Sequence, residues 1–151
     1  MIGVLNNLQI DALLRSRVVG RIGCQVGDKI YIVPITYCFD GEYIIAHSKE
    51  GLKITGMRTN PNVCFQTEQI ENMINWQSVI VWGKYEELVG GDARSAMQKF
   101  INRFQSLMTT ETKKYTDGIA IHQLESGGTK TVVYRIKILE KTGRFEQRIE
   151  D

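Results

Sequence analysis

One segment of this sequence carries the side chains best suited to hold a small anionic molecule. A short apolar strand leads into His47 and Ser48, and a glycine turn follows at Gly51. Lys53 then stands near the start of a helix, which must end before Pro61 because proline cannot extend it. Amide groups at a helix start, together with a lysine and a hydroxyl group, bind anions such as phosphate. The segment therefore predicts a site for a phosphorylated small molecule at the edge of a sheet.

Each of these side chains also has a simpler interpretation. An isolated lysine is usually a solvated helix residue, but a strand end and a glycine precede Lys53, which favours phosphate binding. His47 is a structural histidine, a residue that contacts a ligand, or a proton donor near neutral pH. Its place at a strand end favours contact with a ligand. Ser48 either caps the turn or binds phosphate.

The composition argues against several classes of function. The net charge is +2, from 19 basic and 17 acidic residues, and no run of Lys and Arg indicates nucleic-acid binding. No apolar stretch approaches the ~20 residues that a membrane span needs, and the amino terminus lacks a signal-peptide pattern. Cys24, Cys38 and Cys64 are predicted to be buried free thiols, which suits the cytoplasm.

Motifs for other chemistries are absent from the sequence. Two histidines and no CxxC motif leave little from which to build a metal site. Walker, HExxH, GxSxG and GxGxxG motifs are missing, so kinase, zinc-hydrolase, serine-hydrolase and Rossmann dinucleotide chemistry all lack their residues.

The hydrophobic pattern predicts one domain, residues 1–151, of antiparallel strands with helices at the margins. Turn residues at 27–28 (Gly-Asp) and 40–41 (Asp-Gly) predict two tight hairpins that join three strands. Pro34 lacks an amide donor, so its strand is expected at a sheet edge or with a bulge. The predicted helices are 6–17, 51–59 and 92–108, and the predicted strands are 18–26, 29–39, 42–48, 62–67, 78–88, 118–124 and 131–139. Strands in hairpin order indicate an antiparallel barrel.

The larger side chains have structural interpretations. The strand from Ser78 is expected to begin buried on both faces, Gly90-Gly91 to break it, and Asp92 to cap the next helix. The apolar stripe of that helix, with Phe100 and Phe104, is predicted to be core packing. Core, interface or other structural roles are predicted for Tyr37, Trp76, Trp82 and His122.

Five stretches of the sequence together point to a known family. They are LLRSRVVGRIG, IYIVPITYCFDGEYIIAHSKEGLK, NPNVCF, SVIVWGKYEEL and YRIKILEKTGR, in this order across nearly the whole chain. In the identity and order of these stretches, the chain resembles the FMN-binding split-barrel family of the pyridoxamine 5'-phosphate oxidase-related proteins. The nearest likeness is to the branch of nitroimidazole-resistance (Nim) proteins. The resemblance implies a mainly β fold with flanking helices (α+β), a six- to seven-stranded antiparallel Greek-key split β-barrel.

The resemblance also implies a homodimer with two FMN molecules in clefts at the subunit interface. Lys53 falls where the family binds the phosphate, and the strand 32–37 falls where a backbone runs beside the isoalloxazine ring. His47 matches an active-site histidine of the Nim branch, so the resemblance makes it the expected catalytic residue. The residues expected to contact FMN are Pro34, Ile35, Thr36, Tyr37, Ala46, His47, Ser48, Leu52, Lys53, Ser78 and Arg144.

Three departures separate the sequence from the true oxidases. Ile32 stands where they carry an arginine that binds phosphate, and Ser78 stands where they carry a glutamine that contacts the flavin. Their closing Arg-x-His pattern is reduced to Arg144, because no histidine follows it. Oxidation of pyridoxamine phosphate is therefore not expected.

The sequence as a whole predicts a cytoplasmic FMN-dependent oxidoreductase that acts on a small electron acceptor, such as a nitro compound or a quinone. His47 would donate a proton or a hydrogen bond to that acceptor. Two alternatives remain, a non-catalytic flavin-binding stress or carrier protein and a haem-binding split barrel. No nucleic-acid or membrane partner is expected. A barrel for single-stranded nucleic acid needs exposed aromatics flanked by basic residues, which the strand from Ser78 does not offer.

Overall fold

The computed structural model describes residues 1–107 and 131–148, and within these residues the chain forms eight strands and three helices. The helices are α1 (Asn7–Ser16), α2 (Leu52–Thr59) and α3 (Gly90–Gln105). The strands are β1 (Ile2–Val4), β2 (Val19–Val26), β3 (Lys29–Thr36), β4 (Cys38–Phe39), β5 (Tyr43–Lys49), β6 (Asn62–Asn72), β7 (Asn75–Leu88) and β8 (Thr131–Glu146).

Local signals account for most of these boundaries. Gly27 and Gly41 adopt the positive φ angles of 63° and 104° that the two predicted hairpin turns require, which confirms both hairpins. Asn6 and Gln9 form a capping box, in which each side chain accepts a hydrogen bond from the other residue's backbone amide. The capping box therefore stabilises the start of α1.

The strands form one antiparallel sheet in the order β3-β2-β6-β7-β8-β5-β4, with β1 added beside β8. Inward-facing residues from both halves of this order, such as Ile22, Phe65 and Ile136, belong to a single core cluster. The sheet is therefore rolled around its core, but β3 and β4 stay unpaired with each other, so the barrel is open. β3 is an edge strand, as the missing amide of Pro34 predicts.

Several boundaries differ from the prediction. β6 and β7 extend into a long hairpin across the stretch predicted as a loop, because cross-strand pairing continues to Asn72 and Asn75. α3 begins at Gly90, so Asp92 lies in its first turn and does not cap it. β8 continues to Glu146. The predicted strand 118–124, which contains His122, and the end of the helix at 108 lie outside the described residues.

The expectation that the strand from Ser78 begins buried on both faces is wrong for the single chain. Val79 and Val81 are fully buried, whereas Ile80 and Trp82 are 38% and 40% exposed. The reason is that only the inner face of the sheet packs on the core.

The remaining structural expectations concern cysteines and membrane crossing. Cys24 and Cys38 are buried and Cys64 is half-buried, and all three are free thiols. Among the helices of the described residues, none has the length and hydropathy to cross a membrane.

Candidate functional site

Three elements meet at a cleft of about 390 Å³, a volume within the usual range of ligand pockets. They are the end of β3, the segment from β5 into α2, and α3. The lining residues are Pro34, Ile35, Thr36, His47, Lys53, Phe100 and Phe104. The structure therefore brings five of the residues predicted to contact a cofactor into one site.

The start of α2 forms the polar end of this cleft. Gly51 occupies the N-cap position without a side chain that could accept a hydrogen bond, and the first turn contains no acidic residue. Gly56 lets the helix lie directly on β2, because a Cβ atom there would come within 2.8 Å of the carbonyl oxygen of Gln25. The amide groups of the first turn are thus held in place beside the cleft and available to an anion.

Lys53 stands in that first turn as a half-buried cation. It forms no ion pair or hydrogen bond within the described residues. Its Nζ atom lies 6.0 Å from the centre of the Tyr134 ring, at the outer limit of a cation–π contact. Burial lowers the pKa of Lys53, because the charged ammonium loses hydration that no carboxylate replaces.

His47 lies beside Lys53 and also lacks a polar partner within the described part of the chain. Its ring packs edge-on against the ring of Phe100, with 4.9 Å between the ring centres. Burial lowers the pKa of His47 most, and the positive charge of Lys53 lowers it further. In the ligand-free protein His47 is therefore mainly neutral near pH 7, which favours hydrogen bonding over service as a ready acid.

Phe100 and Phe104 form the apolar wall of the cleft, a role that the sequence analysis missed. Their rings stack with centres 4.6 Å apart and planes at 21°. Both side chains also belong to a hydrophobic cluster that contains Ile45 and Val133, so the predicted core role of the helix stripe is correct but incomplete. The spacing of the stripe could not reveal the second role, because a core face and a pocket wall have the same periodicity.

Four of the predicted contact residues do not line the cleft with their side chains. Ala46 and Tyr37 are fully buried, and the Tyr37 hydroxyl donates a hydrogen bond to the carbonyl oxygen of Leu14 at 2.7 Å. The Ser48 hydroxyl donates to the carbonyl oxygen of Lys49 at 3.0 Å. Leu52 is 67% exposed at the start of α2. These residues are only chain neighbours of the lining residues: Tyr37 follows Thr36, Ala46 and Ser48 flank His47, and Leu52 precedes Lys53.

Ser78 and Arg144 lie elsewhere, as direct cross-strand partners on β7 and β8. Ser78 accepts a hydrogen bond from the Gln66 side chain at 3.0 Å, and Arg144 is exposed. Neither residue lines the cleft of its own chain. Both occupy the outer face of the sheet, which is the face turned away from the core.

The outer face of the sheet carries many uncovered apolar side chains. Partners in antiparallel strands share a face, so the register aligns Ile32, Gly23, Cys64 and Trp82 in one row. The same argument places Pro34 and Thr36, which line the cleft, on this face. Exposed apolar residues of the outer face are Ile2, Val4, Val19, Ile30, Ile32, Ile70, Ile80, Trp82 and Leu139.

Comparison with known proteins agrees with this fold. Residues 6–145 match the family model described as pyridoxamine 5'-phosphate oxidase. An uncharacterized protein of Rhizobium meliloti is 35% identical over 85 residues, a stretch that spans 56% of this chain and 56% of that relative's length.

Two solved structures extend the likeness over the whole fold. An FAD-binding protein of Mesorhizobium loti is 28% identical with a TM-score of 0.72, covering 97% of this chain and 99% of that chain. A proposed 5-nitroimidazole antibiotic resistance protein of Bacteroides thetaiotaomicron is 17% identical with a TM-score of 0.73, covering 96% and 87%. At that identity the second likeness concerns the fold alone. Together these structures confirm the predicted split-barrel fold.

Proposed function

This chain belongs to the pyridoxamine 5'-phosphate oxidase family, and we propose that it binds FMN in the cleft and acts as an oxidoreductase. One observation supports the proposal above others, the half-buried ammonium of Lys53 without a carboxylate partner in the described residues. Such a cation beside free helix amides fits an anionic ligand. The likeness to an FAD-binding protein supports a flavin as that ligand.

The basic end of the cleft suits the terminal phosphate of FMN. FMN ends in a phosphate monoester, and such a group carries about −1.5 to −2 charges at neutral pH. Burial and then the positive charge of Lys53 lower the pKa of His47, so His47 stays mainly neutral beside Lys53 in the ligand-free protein. A dianionic phosphate gives both side chains a partner and favours protonation of His47.

Each part of the cleft has a role in this proposal. Lys53 and the first-turn amides of α2 hold the phosphate, and the backbone of residues 34–36 runs beside the ring system. Phe100 and Phe104 exclude water from the apolar end. His47 donates an N–H hydrogen bond to the ligand or to a small acceptor of the nitro or quinone type. When bound, the flavin supplies the electron transfer.

We further propose that the protein is a homodimer closed through the outer face of the sheet. Monomers rarely expose a continuous apolar patch of the kind that Ile32, Ile80 and Trp82 mark on this face. Pro34 and Thr36 belong to the same face and line the cleft, so a second copy docked there also covers the flavin site. Arg144 lies on the same outer face, so in the proposed dimer it belongs to the interface.

Titration with a set of related ligands tests the proposed cofactor. The purified protein is titrated with FMN, FAD and riboflavin, and binding is followed by quenching of flavin fluorescence. We expect FMN to bind roughly ten- to a hundredfold more tightly than riboflavin, which lacks the phosphate. Equal affinities would contradict phosphate recognition. A Soret band after addition of haem, without flavin binding, would favour the haem-binding alternative.

A separate measurement tests whether the protein is an enzyme. Consumption of NADH or NADPH by the FMN complex is followed with and without a quinone or a nitroaromatic compound. Acceleration by an acceptor supports the oxidoreductase, whereas binding of FMN with no acceleration by any acceptor supports the carrier alternative.

A further inference from the structure

Arg58 in the last turn of α2 binds the carboxylate of Glu50, a residue that lies next to the proposed anion site. Two nitrogens of its guanidinium donate to the two carboxylate oxygens of Glu50, at 2.8 and 2.7 Å. The same guanidinium donates to Glu87 of β7 at 2.7 and 3.2 Å. The Tyr85 hydroxyl donates to Glu87 at 2.7 Å, which fixes that carboxylate on the sheet.

The position of Glu50 in the chain puts it directly beside the proposed anion site. Glu50 immediately precedes Gly51, the N-cap of α2, and lies three residues before Lys53. A carboxylate at this end of a helix is attracted by the first-turn amides, and Lys53 adds a positive charge at the same place. Left to itself, the Glu50 side chain would therefore neutralise the groups that an external phosphate needs.

We propose that Arg58 withdraws the Glu50 carboxylate from Lys53 and the start of α2, and so keeps the anion site open for a ligand. The inference rests on the proposed anion site of the preceding subsection. The geometry supports it because Arg58 lies at the opposite end of the same helix, and Glu87 anchors the guanidinium to β7. Glu50 thus folds back along α2 and leaves Lys53 without a carboxylate partner.

Exposure sets the expected size of the effect. The side chains of Arg58 and Glu50 are 39% and 43% exposed, so solvent screens their attraction. A released Glu50 would compete with the ligand through a partly exposed charge at a helix start. Its presence there should weaken binding of an anion by about three- to tenfold.

A mutant cycle on the full chain tests the inference with two readouts. Arg58→Met, Glu50→Gln and the double variant are compared by their Kd for FMN and by the pKa of Lys53, from NMR of the ligand-free protein. We expect Arg58→Met to weaken FMN binding about three- to tenfold and to raise the pKa of Lys53. The double variant should restore both values, because the competing carboxylate is then gone.

The control is Lys141→Met, which removes an ion pair with Asp11 far from α2 and should change neither value. Weak binding that persists in the double variant would overturn the inference and leave Arg58 as simple support for the helix. An unchanged pKa of Lys53 in Arg58→Met would overturn it as well.

Two further outcomes keep the test decisive. If Arg58→Met does not fold, Glu50→Gln alone is informative. Removal of a carboxylate that Arg58 already withdraws should change the Kd for FMN by less than about twofold, and a larger change overturns the inference. If no variant binds FMN while the pKa of Lys53 responds as expected, the proposed cofactor is wrong and the role of Arg58 stands.

Discussion

At the scale of residues, the site is defined by two basic side chains without an acidic partner within the described residues. Lys53 and His47 both have lowered pKa values in the ligand-free protein, for which burial is the main cause. Charged groups inside proteins normally have partners, so two basic side chains without one support the proposed anion site.

Removing the charge of Lys53 should weaken FMN binding without much effect on folding. Lys53→Ala deletes a charge-assisted contact of about 1.5–3 kcal/mol, which corresponds to roughly ten- to a hundredfold in Kd. Fluorescence titration of wild type and variant measures the change. Lys29→Ala is the matched control, because Lys29 is exposed at the start of β3 and its replacement removes the same net charge. Equal affinity of Lys53→Ala and wild type would remove Lys53 from the site.

The pKa of His47 predicts how FMN binding depends on pH. Burial and Lys53 lower this pKa in the free protein, and a bound phosphate should raise it, so that binding takes up a proton. Affinity should then increase as the pH falls through the pKa of the complex, and level off below the pKa of the free protein.

His47→Gln isolates this contribution. The phosphate of FMN also titrates, with a second pKa near 6 for such groups, but it does so equally in both proteins. The variant should bind FMN nearly as well as wild type at pH 8 and lack the additional gain at lower pH. Identical pH profiles would show that the charge of His47 does not act on the ligand.

At the scale of elements, the start of each helix decides which groups face the cleft. α2 begins at a glycine that leaves its amides free. α3 begins directly after β7, and it brings Phe100 against His47 and Phe104 to the wall of the cleft. Both helix starts depend on backbone geometry, and at α3 this geometry can be tested without touching the cleft.

Two neighbouring glycines at the start of α3 should respond to alanine in opposite ways. Gly90 has a positive φ of 58°, whereas Gly91 does not, and a Cβ atom at either position meets nothing within 4 Å. Gly90→Ala should therefore lower the free energy of unfolding by about 1–2 kcal/mol through strain alone. Gly91→Ala should raise it by about 0.5–1 kcal/mol, because alanine favours the helix. Urea denaturation measures both, and a shift of the same sign in the two variants would contradict the assigned backbone.

At the scale of the whole molecule, the outer face of the sheet links the proposed dimer with the cleft. A polar substitution there should prevent association, and it should weaken FMN binding because Pro34 and Thr36 join this face to the site. Trp82→Glu places a charge in the middle of the face, and its position in the single chain is already 40% exposed, so the fold should persist.

Sedimentation velocity measures the expected change in mass. Wild type should sediment with about twice the 17.2 kDa of the chain at micromolar concentration, and Trp82→Glu should approach the mass of one chain. Leu8→Glu is the control, because it makes a similar change at an exposed apolar residue of α1. A wild-type monomer that binds FMN tightly would contradict the proposed assembly.

The features that the sequence determined by itself are those that depend on neighbours in the chain. The hairpin turns follow from Gly27 and Gly41, the edge position of β3 from Pro34, and the place of Lys53 from the glycine before it. Turn propensity, the missing amide hydrogen of proline and the backbone freedom of glycine act over a few residues, so they can be recognised without a structure.

Only the tertiary structure decided which distant residues meet. Phe100 reaches His47, and Arg58 holds Glu50 and Glu87, because the sheet rolls and the helices pack on it, and no local pattern specifies those contacts. The same holds for the exposure of Ile80 and Trp82, since alternation along a strand does not tell which face finds a core. Contacts between residues far apart in the chain depend on the register and curvature of the whole sheet.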